Sequence, residues 1–242
     1  MPHKLVEEQV GVMLDAGIAE IVLSGVDIGA YNDGGFTLED LCSSLLKIIG
    51  NRDARIRISS IEPNNVSDRL IEIMARAQGK ICRHLHMPLQ SGSSKVLKEM
   101  ARHYNAQQYF EVVKKLKTQI PSIALSTDII VGFPGESEDE FLESFNMAKK
   151  CGFMKIHVFP YSKRNGTPAA VRTDQVDEAD KEERASKLRD LSDALAKQDL
   201  DSRKGVAELV LVEAEGQGRT ESYHLVDVPK TAKSGCLISL TL

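Results

Sequence analysis

Apolar positions in the first 170 residues alternate between two spacings. Val6, Val10, Met13 and Leu14 recur at helical intervals over 4–16, with Pro2 ahead of them and Gly17 just past the end. A short apolar run, Glu20–Leu23, predicts a strand that ends at Ser24-Gly25. Leu38, Leu41, Leu45 and Ile48 predict a second helix over 37–49, with Thr37 as N-cap, and 55–60 alternates as a strand does. Ser67 caps a helix carrying Leu70, Ile71, Met74 and Ala77, and a strand over 82–87 stops at Pro88. Helices over 94–101 and 105–119, a strongly apolar strand over 123–131, a helix opened by the capping box Ser137-Glu138-Asp139-Glu140, and a strand over 155–160 complete the series. Strands starting near 20, 55, 82, 123 and 155 leave room for a helix between each pair, since a βα unit takes about 30 residues. The predicted class is α/β, a parallel sheet with helical crossovers.

The pattern changes after Ala170. A charged helix with the thin stripe Leu188, Leu191 and Leu195 is expected over 177–203. Short strands separated by glycine turns follow at 207–213, 216–218, 221–228 and 236–242. These spacings predict a small all-β barrel fed by a linker helix. The expected division is 1–172, 173–204 and 205–242.

Composition changes this picture little. The chain has 242 residues, 42% apolar and 27% charged, enough for a packed core. No run reaches the roughly 20 apolar residues of a membrane helix, and the start does not read as a secretory signal, so a soluble, cytoplasmic protein is expected. Cys42, Cys82, Cys151 and Cys236 are far apart without CxxC spacing, which argues against a disulfide framework or a local metal loop. Net charge is −4, yet 95–117 holds six Lys/Arg against two Glu, and 155–172 holds four against none. Those two basic stretches are the candidate surfaces for an anionic partner.

Ligands of parallel α/β folds sit at the carboxyl ends of strands. The exits here are Ser24–Gly29, Ser59–Pro63, His84–Ser93, Asp128–Ser137 and Phe159–Thr167, all polar or glycine-bearing. His84 and His86 share a strand face, but no third ligand has supporting spacing, so hydrogen bonding to a substrate or simple packing is favoured over a metal. The glycines around Pro134 precede a capped helix whose free N–H groups can meet an anion. The exit at 159–167 joins basic residues to an aromatic neighbour, a combination suited to phosphate contact and base stacking. A polar rim of this kind indicates a ligand-binding mouth without specifying a reaction.

Three segments, HMPLQSGSSKVLKEMARHY, STDIIVGFPGESEDEF and FPYSKRNGTPAA, resemble the radical S-adenosylmethionine methylthiotransferases that modify transfer RNA. Arg57-Ile58-Ser59-Ser60-Ile61-Glu62-Pro63 is most similar to the branch acting on threonylcarbamoyladenosine beside the anticodon. Gly218–Tyr223 resembles the RNA-binding TRAM barrel that ends those enzymes. The resemblance implies a partial (β/α) radical-SAM barrel followed by a linker helix and a TRAM-like barrel. It also implies S-adenosylmethionine and [4Fe-4S] clusters as cofactors and the tRNA anticodon loop as partner. Carried onto this chain, Gly25 and Asp27 match a cofactor motif, and Ser59, Glu62, Gln90 and Arg102 suit its amine, carboxylate or ribose. Ile130, Val131 and Gly132 match the backbone edge facing adenine. Arg164, Arg219 and Tyr223 are the expected RNA contacts. The family's cluster-binding CxxxCxxC loop falls just before the position matched by Pro2-His3-Lys4, and no cysteine here matches a cluster ligand. The chain alone is therefore expected to be inactive and, with its first barrel strand missing, prone to self-association. Two other readings are a non-catalytic tRNA- or nucleotide-binding remnant and an unrelated phosphate-handling enzyme.

Overall fold

A computed structural model describes residues 1–25, 27–214 and 216–242; Val26, within the first strand exit, lies outside the described residues. The elements run α1 (His3–Asp15), β1 (Glu20–Leu23), β2 (Asn32–Asp33), β3 (Phe36–Thr37), α2 (Leu38–Ile49), β4 (Arg55–Ile58), α3 (Asp68–Arg76) and β5 (His84–His86). They continue with α4 (Ser94–Glu99), α5 (Ala106–Gln119), β6 (Ala124–Val131), α6 (Glu138–Cys151), β7 (Lys155–Pro160) and α7 (Glu178–Ser202). The last four are β8 (Ala207–Ala214), β9 (Gln217–Thr220), β10 (Leu225–Asp227) and β11 (Leu237–Thr241). No described helix is long and apolar enough to cross a membrane.

Packing divides the chain into two units that do not follow its order. One comprises Met1–His86, Leu116–Ala124 and Arg203–Leu242; the other comprises Met87–Lys115 and Leu125–Ser202. In the first, β1 and β4 pair in parallel, with Glu20 opposite Arg55 and Leu23 opposite Ile58. Ile56, Ile58, Leu41, Leu45, Leu70 and Ile71 are buried around this pair. The helix starts behave as their sequences require: Asp40 accepts from the Thr37 N–H at 3.0 Å, and Ser67 Oγ accepts from the Leu70 N–H at 3.1 Å. Thr37 and Arg69 together hold the Asp40 carboxyl down at about 2. Among the described residues β1 has no sheet partner besides β4, and Val22 is 53% exposed.

The same unit carries a separate antiparallel sheet, ordered β10-β9-β8-β11, around Val210, Val212 and Val228. Its third expected strand is shorter than the alternation over 221–228 suggested. Residues 220–224 instead close a turn, with Thr220 N–H donating to the His224 carbonyl at 2.9 Å and Tyr223 N–H to the Thr220 carbonyl at 3.0 Å.

In the second unit β6 and β7 pair in parallel, from Ser126 opposite Lys155 to Val131 opposite Pro160. The expected linker helix α7 packs on β7, where Ser192 Oγ accepts from the Ile156 N–H at 3.0 Å and Ala185, Leu188 and Leu195 are buried. The Ser137–Glu140 capping box forms as expected and starts α6.

Candidate functional site

Two sets of strand exits carry the predicted residues, one set in each unit. In the first unit Asp27 accepts from the Ala30 N–H at 3.3 Å and from Asn65 Nδ2 at 3.1 and 3.2 Å. That amide ties the Gly25–Asp27 loop to the Ser59–Asn65 loop, so Gly25, Asp27, Ser59 and Glu62 occupy adjoining exits of β1 and β4. Gly29 makes the approach possible: a Cβ there would lie 2.4 Å from Asn65 Cβ. Ser59 Oγ is buried with no hydrogen-bond partner among the described residues.

In the second unit the segment 87–92 is pinned from several sides. Tyr109 Oη and Thr127 Oγ1 both donate to the Met87 carbonyl, at 2.7 and 2.9 Å, and Tyr104 Oη donates to the Pro88 carbonyl at 3.0 Å. Gly92 N–H donates to Ser144 Oγ at 2.8 Å. Between these anchors Gln90 takes a left-handed backbone (φ 66°), its N–H donating to the Asp128 carbonyl and its own carbonyl accepting from the Ile130 N–H. A non-glycine residue in that conformation costs energy and persists where its surroundings impose it.

Gln90, Arg102, Ile130 and Arg164 line one cleft of about 500 Å³, with Glu99, Met100, Phe133, Phe159, Tyr161 and Thr167. Phe159 leaves half of its ring exposed, and the Arg164 guanidinium beside it has no ion-pair partner among the described residues. The far wall is held by Arg172, which donates to Glu99 Oε2 at 2.5 Å and to both Asp174 oxygens at 2.9 and 2.5 Å. Val131 and Gly132 are buried and do not line the cleft. Gly132 (φ 69°) donates to Glu136 Oε2 at 2.6 Å, and Arg184 of α7 donates to the same oxygen at 2.8 Å. Burial raises the Glu136 carboxyl above its ordinary range despite these donors.

Arg219 and Tyr223 lie against the arginines of β4, Arg55 reaching the Arg219 carbonyl and Arg57 the Tyr223 ring. Arg219 Nε donates to Glu213 Oε1 at 2.7 Å, and its guanidinium lies 4.6 Å from the Tyr223 ring centroid. His84 stacks on the other residue of this pair, Tyr223, at 4.8 Å. Burial, with Arg57 adding to it, pushes the His84 imidazole down to about 3.

That shift carries a prediction. A histidine whose folded pKa is depressed below its ordinary 6.5 gives stability that is complete above 6.5 and is lost as pH falls toward 3. Thermal stability should therefore decline from pH 7 to pH 4, by at most about 1.4 kcal/mol per pH unit from this group. Melting curves of His84→Phe should show a shallower decline; an unchanged slope would refute the assignment.

Sequence reasoning did not single out Glu99, Arg172, Arg184 or Arg55, and it gave Glu136 and Arg57 no role beyond their place in a strand exit and in the branch motif. Arg55 and Arg57 alternate with buried isoleucines in one strand, a pattern that gives no sign that the arginine face is itself buried.

The cofactors implied by the resemblance fit unequally. Cys42, Cys82 and Cys151 are buried and Cys236 is exposed. Among the described residues no three cysteines come together in a group that could ligate iron. These cysteines do not fit an iron–sulfur cluster. The cleft of the second unit, lined by Gln90, Arg102 and Ile130, has room and polar groups for a small polar ligand.

Comparison with known proteins agrees with this geometry. The Radical SAM superfamily description matches residues 1–148. The chain is 47% identical over 200 residues to the threonylcarbamoyladenosine tRNA methylthiotransferase MtaB of Bacillus subtilis (strain 168), covering 81% of this chain and 44% of that protein. It is 39% identical over 220 residues to the tRNA-2-methylthio-N(6)-dimethylallyladenosine synthase of Geobacillus thermodenitrificans (strain NG80-2), covering 89% of this chain and 41% of that protein. The chain thus spans less than half the length of these curated relatives. Among solved structures, Streptococcus suis SuiB bound to S-adenosylmethionine shares the fold at a TM-score of 0.52 and 14% identity, over 82% of this chain and 40% of that one. With its α/β elements matched by the family description over more than half its length, the chain belongs to the radical SAM superfamily.

Proposed function

We propose that this chain is the part of a tRNA methylthiotransferase that binds S-adenosylmethionine and receives the adenosine beside the anticodon. The observation that carries this reading is the cleft of the second unit, where Gln90, Arg102 and Ile130 meet an exposed Phe159 ring and the Arg164 guanidinium. A flat apolar ring beside cationic groups suits a nucleobase and its phosphate. Gly25, Asp27, Ser59 and Glu62 of the first unit are candidate contacts for methionyl and ribose groups, and in the second unit Ile130, which alone of Ile130, Val131 and Gly132 lines the cleft, is the candidate for adenine. S-adenosylmethionine supplies the methyl group that such an enzyme transfers.

The higher identity to MtaB favours N6-threonylcarbamoyladenosine as substrate over the dimethylallyl nucleoside, and a tRNA substrate supports a cytoplasmic location. The poor fit of the cysteines to a cluster favours a division of labour, in which these residues bind and orient while the iron–sulfur chemistry is held by other residues of the enzyme.

Binding of an anticodon stem–loop RNA tests this reading. Phe159→Ala should weaken it by about 1–3 kcal/mol, the worth of one stacked base. Arg164→Ala should reduce the slope of log K against log salt by about one. Unchanged affinity and slope in both variants would refute the RNA-facing assignment of the cleft.

A further inference from the structure

Arg55 and Arg57 are both buried, and both pair with Glu20 of β1, which offsets one of their two charges. Glu20 Oε2 accepts from Arg55 Nε at 2.6 Å, and Glu20 Oε1 accepts from Arg57 Nε at 2.8 Å. The remaining guanidinium N–H groups leave the strand pair and reach the antiparallel sheet. Arg55 donates to the carbonyls of Leu209 and Arg219 at 2.6 and 3.0 Å. Arg57 donates to those of Glu221 and Thr220 at 3.2 and 3.1 Å. Three successive carbonyls, 219 to 221, are thus satisfied by β4 side chains.

The side chains of the same turn are engaged as well. Arg83 donates to both Glu221 carboxylate oxygens, at 3.0 and 2.7 Å. Tyr223 holds a left-handed backbone (φ 76°), with its ring on His84 and the Arg57 guanidinium 4.8 Å from its centroid. A bulky residue at positive φ is unfavourable unless its neighbours dictate it, and here His84, Arg57 and Arg219 all contact it. Arg219 spends its guanidinium on Glu213 and on the Tyr223 carbonyl at 3.3 Å.

We infer that the Arg219–Tyr223 turn is a docking element rather than an RNA contact: Arg55 and Arg57 lock it to the starts of β1 and β4. The small sheet is then fixed to the strands whose exits carry Gly25, Asp27, Ser59 and Glu62. Arg57 and Ser59 are two residues apart on one chain segment, about 7 Å. The inference rests on the tRNA reading only for its RNA arm; the docking itself stands on the hydrogen bonds.

Hydrogen exchange of the full chain tests the dock. Arg57→Met should speed exchange of amides 219–224 by about tenfold while 207–214 and 237–241 keep their protection, as local opening requires. Unchanged exchange at 219–224 overturns the inference. Should Arg57→Met unfold the chain, Arg57→Lys, which keeps the charge and loses the fork, decides by the same amides. In the RNA arm, Arg219→Ala should leave the salt slope for an anticodon stem–loop RNA unchanged, in contrast to Arg164→Ala. A slope reduced by about one overturns the inference. If the unaltered chain binds no such RNA, the tRNA reading fails, and the exchange arm still decides the dock.

Discussion

Glu20→Gln should destabilise the protein by about 3–5 kcal/mol, the usual cost of leaving buried charge uncompensated. Glutamine fills the same space, so packing is preserved and the loss is electrostatic. Burial alone would raise the Glu20 carboxyl, but Arg57 and Arg55 outweigh it and hold it below its ordinary 4.5. The neutral amide leaves two guanidiniums, both nearly out of water, without their anion. Against a typical total of 5–15 kcal/mol this is a large fraction. Urea unfolding at pH 7 measures it, and a change below 1 kcal/mol would show that the arginines draw their compensation from elsewhere.

Gly92→Ala should be comparably damaging for a different reason. A Cβ at this position would stand 2.5 Å from Ser144 Cα and 2.6 Å from the Glu143 carbonyl oxygen, both backbone atoms of α6. No rotamer change relieves such contacts, so the segment 90–92 or the helix must move. Overpacking of this sort costs about 1–3 kcal/mol, and backbone atoms put this case at the upper end. The displacement also reaches Gln90 in the cleft. Gly11→Ala, mid-helix in α1 with open space around its Cβ, is the matched control and should stabilise by about 1 kcal/mol. Equal unfolding midpoints for the two variants would contradict the steric account.

The strand exits were legible because two hydrophobic periods marked where each strand stopped, and caps such as Ser67 and Ser137 marked where helices began. Gln90, Ile130 and Arg164 were thereby placed on exits, Arg102 was implied by the family resemblance alone, and all four line one cleft. The dock was not legible. In a strand reading Arg-Ile-Arg-Ile, alternation predicts a solvated arginine face, and only the folded chain shows the carbonyls of residues 219–221 receiving it. Arg172 was hidden for a similar reason: its partner Glu99 lies 73 residues away, and no local pattern announces the pair. Tyr223 and Arg219 had the composition of an RNA contact, whereas their side chains engage Glu213, His84 and Arg57.

The central claim is that this chain serves the methylthiolation of a tRNA adenosine beside the anticodon. Mass spectrometry of nucleosides from total tRNA, in source cells with and without the gene, tests it most directly. Loss of the 2-methylthio group from N6-threonylcarbamoyladenosine, with the unthiolated nucleoside accumulating in its place, is the predicted result. Undiminished 2-methylthio nucleosides in cells lacking the gene would contradict the account.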